Sequence, residues 1–276
     1  MADFNQKLIC LLTDFGLKGQ HYVASMKGVI LKINPNIRII DITHNITPFS
    51  IIEASYILET TYIYFPKGTT FIIVVDPGVG GSREILLLKT KSNHYFIGPN
   101  NGIFSGISTI NIEECFEIQN NEFFNIPISN TFHGRDIMAP VAAHLVSGIP
   151  LRSFGPKFNL NNLKESQIIY DIDFEKKVVQ CSIQYIDSFG NGTTNIKMVG
   201  NIIKNSDIII NEDSEILVKI NDKKYKIFFT LSFSSLPIGS ILFLVGSTGF
   251  LELSINQGNA SKELGFKIGD TITIEL

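Results

Sequence analysis

Two segments place acid, base and cation beside glycine: Asp76-Pro77-Gly78-Val79-Gly80-Gly81-Ser82-Arg83, after the apolar run 71–75, and Phe132-His133-Gly134-Arg135-Asp136. Glycine lacks a Cβ and reaches positive φ, so a small ligand can come close to the backbone there. Asp76 supplies a carboxylate, Arg83 a permanent cation and His133 an imidazole that titrates near neutrality. That combination reads as an active site. A third segment, Leu11-Leu12-Thr13-Asp14-Phe15-Gly16, ends the first apolar run in the same manner.

His133 stands apart from the other histidines because Gly134 follows it and a helix is expected from Arg135. A helix N-terminus disfavours the imidazolium, so a neutral His133 can take or share a proton, while Asp136 and the main-chain amides answer the dipole. Arg135 is read as solvating the helix start. His21, His44, His94 and His144 are read as satisfied or solvated residues. A metal site would draw on His133, Asp136, His144 and Asp76, but Pro140 interrupts the turns between His133 and His144. No metal is therefore expected. Gly78 to Gly81 also lack the Gly-Lys-Ser/Thr ending of a triphosphate loop and the long helix of a dinucleotide fingerprint.

These segments need a frame that gathers them. The runs 8–12, 37–42 and 71–75 are short and β-rich and end at Asp, Thr or Pro, so they are read as buried strands. Between them, 22–33 and 51–64 repeat apolar residues at three and four and stop before Pro35 and Pro66. Strand, helix, strand, helix, strand implies a mostly parallel sheet with flanking helices, over an N-terminal domain 1–165. In such a sheet ligands bind outside the carboxyl ends of the strands, where Asp14, Asp76 and the Gly98-Pro99-Asn100-Asn101-Gly102 turn would meet. A lone Asp after a strand merely shapes a turn; three such positions point to a ligand.

After 163 the texture changes. The segments 177–186, 215–220, 223–231, 241–245, 250–255 and 271–274 are strand-like, and Asn221-Asp222 reads as a hairpin tip. A smaller all-β, barrel-like domain is expected over 166–276, with the polar stretch 159–166 as linker. The fold class is thus α/β with an added β domain.

Composition narrows the function. The formal net charge is −3 with scattered Lys and Arg, so no nucleic-acid footprint is present. Cys10, Cys115 and Cys181 are odd in number and widely spaced, which suggests neither a disulfide framework nor a zinc knuckle and fits a reducing cytoplasm. The first residues hold no apolar stretch, and the longest apolar runs are too short to span a membrane, so a protein that is neither exported nor membrane-bound is expected.

With Asp14, Asp76, Arg83 and His133 in these settings, the chain resembles the S-adenosylmethionine hydroxide adenosyltransferases, relatives of the adenosylmethionine-dependent fluorinases and chlorinases, from Leu11 almost to the C-terminus. The resemblance implies that Asp14 chelates a ribose diol and that Asp76, Arg83 and His133 are catalytic. It implies that the turns 186–191 and 246–252 hold the adenine and the methionine end: Asn191 on the base, Asp187 or Glu252 on the α-ammonium, Ser247 beside them. The stretch 256–261, with Asn259, is similar to the family's adenine-contacting segment. Turn and cap chemistry explains each of these loops without a ligand. Phe49 either stacks on the ligand or packs in the core.

The resemblance further implies hydrolysis of S-adenosyl-L-methionine to adenosine and L-methionine, without metal or redox cofactor, in a homotrimer whose ligand lies between one subunit's N-terminal domain and its neighbour's C-terminal domain. The alternatives are a halogenase and a non-catalytic adenosine or adenosylmethionine binder. The halogenating relatives carry an aromatic residue where this chain has Asp76, and the fluorinase a serine where it has Gly134. A bare carboxylate would repel a halide by about 4 kcal/mol at about 4 Å in an effective dielectric near 20. Water instead needs an acceptor for its protons and a cation beside the developing hydroxide, which Asp76, His133 and Arg83 provide.

Overall fold

The runs 8–12 and 71–75 are buried on both faces of one sheet, whereas 37–42, read as a buried strand, lies at the sheet edge, half-buried and with Arg38 and Asp41 exposed. In the computed structural model, which describes residues 7–276, β1 (Leu8–Thr13) is buried at every position. Because side chains alternate along a strand, Ile9 and Leu11 enter one core while Leu8, Cys10 and Leu12 enter another. The first core is closed by Val23, Met26 and Ile30 of α1 (Gln20–Ile33), and the second by Ala54 and Leu58 of a later helix. This is why the run shows no polar alternation. Residues 1–6, on which the reading of an N-terminus without an apolar leader rests, lie outside the described residues.

Next come β2 (Arg38–Thr43), α2 (Ile51–Tyr62) and β3 (Thr70–Val74). The sheet then gains β4 (Ile85–Thr90), β5 (Tyr95–Pro99) and β6 (Ile112–Glu117), in the order β2-β1-β3-β5-β4-β6. Only β4 runs against its neighbours, so the sheet is mostly parallel as expected. Ser50 caps α2 by accepting from the Glu53 amide, and Glu53 Oε2 reaches back past the cap to accept from Thr47 N at 3.0 Å. The last helix of this part begins differently from expectation. Gly134–Met138 forms a π-helical turn, and α3 (Ala139–Val146) starts after it with Pro140 in its first turn, where a missing amide does no harm.

The second half is a closed barrel. Its strands are β7 (Tyr170–Asp173), β8 (Val178–Ile186), β9 (Gly192–Val199), β10 (Ile202–Ile203), β11 (Glu215–Ile220), β12 (Lys223–Phe229), β13 (Ile241–Val245), β14 (Phe250–Ile255) and β15 (Thr271–Glu275). A short helix, α4 (Ala260–Leu264), precedes β15. The order runs β9-β14-β13-β12-β11-β15-β8, and β8 returns to pair with β9. Closure removes the edges that an open sheet would expose. Asn221 and Asp222 both adopt positive φ between β11 and β12, the geometry of a tight hairpin. The strands β4, β6, β7 and β10 were not among those expected, and of the strands that close the barrel the one not expected is β9, whose Gly-Thr-Thr-Asn start carries turn and hydroxyl residues in place of an apolar alternation.

The chain divides into two compact units between Ser166 and Gln167. The polar stretch 159–166, expected as a linker, is fastened to the first unit. Asn100, 1% exposed, donates from Nδ2 to Asn162 O at 3.2 Å and accepts from Lys164 N at 2.9 Å, and the Ser166 amide donates to Ser105 Oγ at 2.6 Å. Polarity there serves backbone satisfaction more than solvation. Among the described residues, no helix is long and apolar enough to cross a membrane.

Asn100→Ala would orphan these groups, and the full chain should lose about 1–3 kcal/mol of stability. Denaturant unfolding measures this; an unchanged midpoint would show that the stretch is not held in solution.

Candidate functional site

Asp76 follows β3, and Arg83 ends the glycine-rich loop that leads into β4. The Arg83 Nε donates to both Asp76 oxygens, at 3.0 and 2.9 Å, and Nη2 makes a close bond to Asp76 Oδ2. The two side chains are only 8% and 4% exposed. Arg83 Nη2 also lies 3.0 Å from His133 Nδ1. A guanidinium has no lone pair, so Arg83 is the donor and Nδ1 the acceptor. His133 is therefore neutral in this arrangement and carries its proton on Nε2. Burial, and then the Arg83 charge, push the His133 imidazole below its usual range, with Asp76 and Asp136 opposing in part. The sequence-predicted triad is one hydrogen-bonded group.

Two glycines allow that group to close. Gly80 has φ 78°, and a Cβ there would overlap the Asn130 carbonyl, so the loop from Asp76 rests directly on the segment before His133. A Cβ on Gly134 would lie 3.1 and 3.2 Å from the Val74 methyls and 3.4 Å from Met26 Sδ. Gly134 thus lets the turn carrying His133 sit flush on β3, next to Asp76. Asp136, fully buried, fixes the same segment: it accepts from Asn125 Nδ2 at 2.8 Å, Ser129 N at 2.9 Å and Arg135 Nε at 2.7 Å. Arg135 does not simply solvate the helix start. It pairs with Asp136 and covers the Phe132 ring at 5.0 Å.

Asp14, Phe49, Asp76 and His133 line one cleft of about 270 Å³, together with Phe15, Tyr22 and Phe132; Arg83 stands behind Asp76. Asp14 Oδ2 accepts from Phe49 N at 2.9 Å. This bond holds Phe49 at φ 69°, a left-handed conformation uncommon for an aromatic residue. The Phe49 ring is 68% exposed, which settles that it is not core. Burial raises the Asp14 carboxyl above its usual range, the Phe49 amide offsetting part of the effect. Phe15, Tyr22 and Phe132 form an aromatic cluster with centroids 5.3–5.8 Å apart. Tyr22 and Phe132 were legible only as helix and motif members, since their approach depends on the α1–α3 packing.

In the second unit, Asp187, Asn191, Ser247 and Glu252 line a cavity of about 760 Å³. Asp187 Oδ1 accepts from the Phe189 and Asn191 amides at 2.9 Å each, and Oδ2 accepts from Asn191 Nδ2 at 2.9 Å, so its carboxylate organises its own turn. Glu252 accepts from Ser254 Oγ at 3.0 Å; burial raises its carboxyl, and the Asp187 charge adds to this. Asn259 lies outside the lining. Its Oδ1 caps α4 by accepting from Lys262 N at 2.8 Å, and a Cβ on Gly190 would overlap its side chain. Asn256, Gln257 and Gly258 of the same stretch line the cavity instead, with Phe189, Leu231 and Phe233, which sequence reasoning missed. Apolar residues inside Ser-rich turns, as in Leu231-Ser232-Phe233, were the available signal.

Residues 9–155 match the model of the SAM hydroxide adenosyltransferase N-terminal domain, and residues 181–273 that of the SAM hydroxide adenosyltransferase C-terminal domain. The chain is 34% identical to the (R)-S-adenosyl-L-methionine hydrolase of Methanocaldococcus jannaschii, over 99% of this chain and 98% of that protein. It is 24% identical to a fluorinase of an Actinoplanes species, over 97% of both. The crystal structure of an uncharacterized conserved protein from Thermotoga maritima is similar with a TM-score of 0.85 at 38% identity, over 97% of this chain and 100% of that one.

The His133 ring protons should titrate below the ordinary imidazole value of about 6.5. Arg83→Met should move the midpoint upward, because the guanidinium repulsion goes while the Asp76 and Asp136 carboxylates remain. Proton NMR of the two proteins decides it: a midpoint that stays or falls contradicts the arrangement.

Proposed function

The chain belongs to the SAM hydroxide adenosyltransferase family, and on that premise we propose that it hydrolyses S-adenosyl-L-methionine to adenosine and L-methionine. The observation that carries the reading is the Asp76–Arg83–His133 group at the wall of a cleft shared with Asp14. Water attacks C5′ in line with the sulfonium; the O–C5′ bond forms as the C5′–S bond breaks, and the electron pair goes to sulfur. The leaving group is a neutral thioether and needs no acid, so the protein's task is to orient water, accept its proton and exclude bulk solvent. With Nδ1 turned to Arg83, His133 offers Nε2–H to the water oxygen, and Asp76 is the anionic partner for the departing proton. Asp14 serves the ribose diol, and Phe49 is free to cover the ligand. In the second unit Asn191 serves the base and Glu252, with Ser247, the methionine ammonium; Asp187 supports Asn191.

The Arg83 pairing changes the argument against a halide. A compensated Asp76 repels an anion far less than a bare carboxylate would. Discrimination is assigned instead to the Asp76 oxygens, which favour a proton-donating nucleophile. Among the described residues, His, Cys, Asp and Glu side chains nowhere gather in a group of three fit for a metal ion, and the proposed steps need no cofactor.

We further infer a cytoplasmic homotrimer with its ligand between subunits. Supporting this, each unit presents a concave surface bearing part of the expected contacts, and all three cysteines are buried and unpaired.

Incubation with adenosylmethionine and EDTA, in chloride or fluoride buffer, should yield adenosine and methionine in equal amounts. Asp76→Asn should cut turnover by roughly 100- to 10,000-fold with near-parental affinity. Accumulation of a 5′-halo-5′-deoxyadenosine, or full turnover by the variant, would refute the reading.

Shared sites make a separate forecast: Asp76→Asn and Asp187→Arg chains, each inactive alone, should regain activity when co-assembled, because some sites then combine two intact halves. No recovery in verified mixed oligomers would rule out a ligand held between subunits.

A further inference from the structure

His44 is a buried histidine that the proposed chemistry does not use. Only 7% exposed, it follows β2 and lies outside the cleft lining. Its ring joins three elements. Nδ1 is 3.0 Å from the hydroxyl of Thr13, the fully buried last residue of β1. Nε2 is 3.1 Å from Asp41 Oδ1, an electrostatic contact more than an aligned hydrogen bond. Asp41 Oδ2 in turn meets Lys27 Nζ of α1 at 2.6 Å. The carboxylate beside Nε2 favours a proton there, which leaves Nδ1 to accept from the Thr13 hydroxyl.

The backbone of His44 grips the same loop from the other side. Its carbonyl accepts from the Gly16 amide at 2.7 Å. Side chain and main chain of one residue therefore hold the positions immediately before and two after Asp14. Two residues further on, the Ile46 amide donates to Thr13 O at 3.4 Å, and the loop that begins at His44 continues to Phe49, whose amide occupies Asp14 Oδ2. A carboxylate that accepts from two vicinal hydroxyls must face both, and its plane is set by the backbone that carries it.

We infer that His44 is a positioning residue for ligand binding: by bracketing Asp14 through Thr13 and Gly16, it aims the carboxylate at the ribose diol. The inference rests on the reading that Asp14 serves the ribose. It assigns the Lys27–Asp41–His44 series a task beyond packing, since the series runs from a solvent-accessible Lys27–Asp41 pair inward to the residue preceding a ligand group.

The test compares calorimetric affinities for adenosine and 2′,3′-dideoxyadenosine, which differ only in the diol. The parent should prefer adenosine. His44→Leu should narrow that preference by about tenfold, the scale of one hydrogen bond, while dideoxyadenosine affinity stays near parental. Thr13→Val, nearly isosteric and free of the histidine's volume change, should do the same if the larger variant does not fold. His44→Asn keeps an acceptor close to the Nδ1 position and should retain most of the preference. Preferences unchanged in His44→Leu and Thr13→Val, or equal losses for both nucleosides, overturn the inference and make His44 a packing residue. A parent that binds both nucleosides equally overturns the Asp14 reading itself, and the inference with it.

Discussion

The guanidinium of Arg83 is the interaction on which the site depends. The Asp76 side chain is almost fully withdrawn from water and His133 is half-buried, and a buried polar group without a partner is costly. Arg83 supplies partners to both. Its Nε and Nη2 satisfy Asp76, and Nη2 also fixes the lone pair of His133 Nδ1. A lysine could supply the charge but not two donors at this spacing, because its three protons radiate from one nitrogen. The tautomer of His133, the charge of Asp76 and the distance between their loops are thus set by one planar group.

That group forms only because backbones approach closely at the carboxyl end of the sheet. The parallel strands β1 and β3 deliver Asp14 and Asp76 to neighbouring positions, since Thr13 and Val74 are in register. Gly134 brings the first turn before α3 against Val74, and Gly80 brings the loop after β3 against Asn130. A side chain at either glycine would separate Arg83 from His133 before it touched any ligand. The glycines that first suggested room for a ligand are occupied by the protein's own backbone and by β3, and the space for a ligand lies on the other side, between Asp14, Phe49 and the aromatic cluster.

The parts legible in sequence are those fixed by local rules. Continuous apolar strands, helices stopped before proline, and the Asn221-Asp222 hairpin follow from periodicity and turn chemistry and reappear as β1 to β3, α1, α2 and the β11–β12 connection. The triad was legible because its residues sit in unusual company with glycine. What stayed hidden depends on non-local partners. The strand β9 looks like a polar turn until β14 and β8 pair with it. The stretch 159–166 looks like a linker until Asn100, some sixty residues earlier, takes up its backbone groups. Asn259 resembles a ligand contact in sequence, yet an Asn before a helix is also an N-cap, and here its oxygen is spent on Lys262 N.

Carboxylates supply a distinction that motif reasoning could not reach. For Asp136, burial alone would raise the pKa, but Arg135, the Ser129 amide and Asn125 outweigh it and hold the carboxyl low; for Asp41, Lys27 and His44 outweigh burial in the same way. A lowered folded-state value means that these groups stabilise the fold above the ordinary carboxylate range, and that this stability is lost as pH falls through the folded value. Asp14 and Glu252 run opposite, raised chiefly by burial with too few donors to compensate. Their ionised forms cost stability at neutral pH, and the fold tolerates that cost where each faces a cavity. Under the proposed function an incoming diol or ammonium would supply the missing donors, which would make ligand binding and relief of this desolvation one event. The contrast sets Asp41 and Asp136, whose partners outweigh burial, apart from Asp14 and Glu252, which face cavities with few donors of their own.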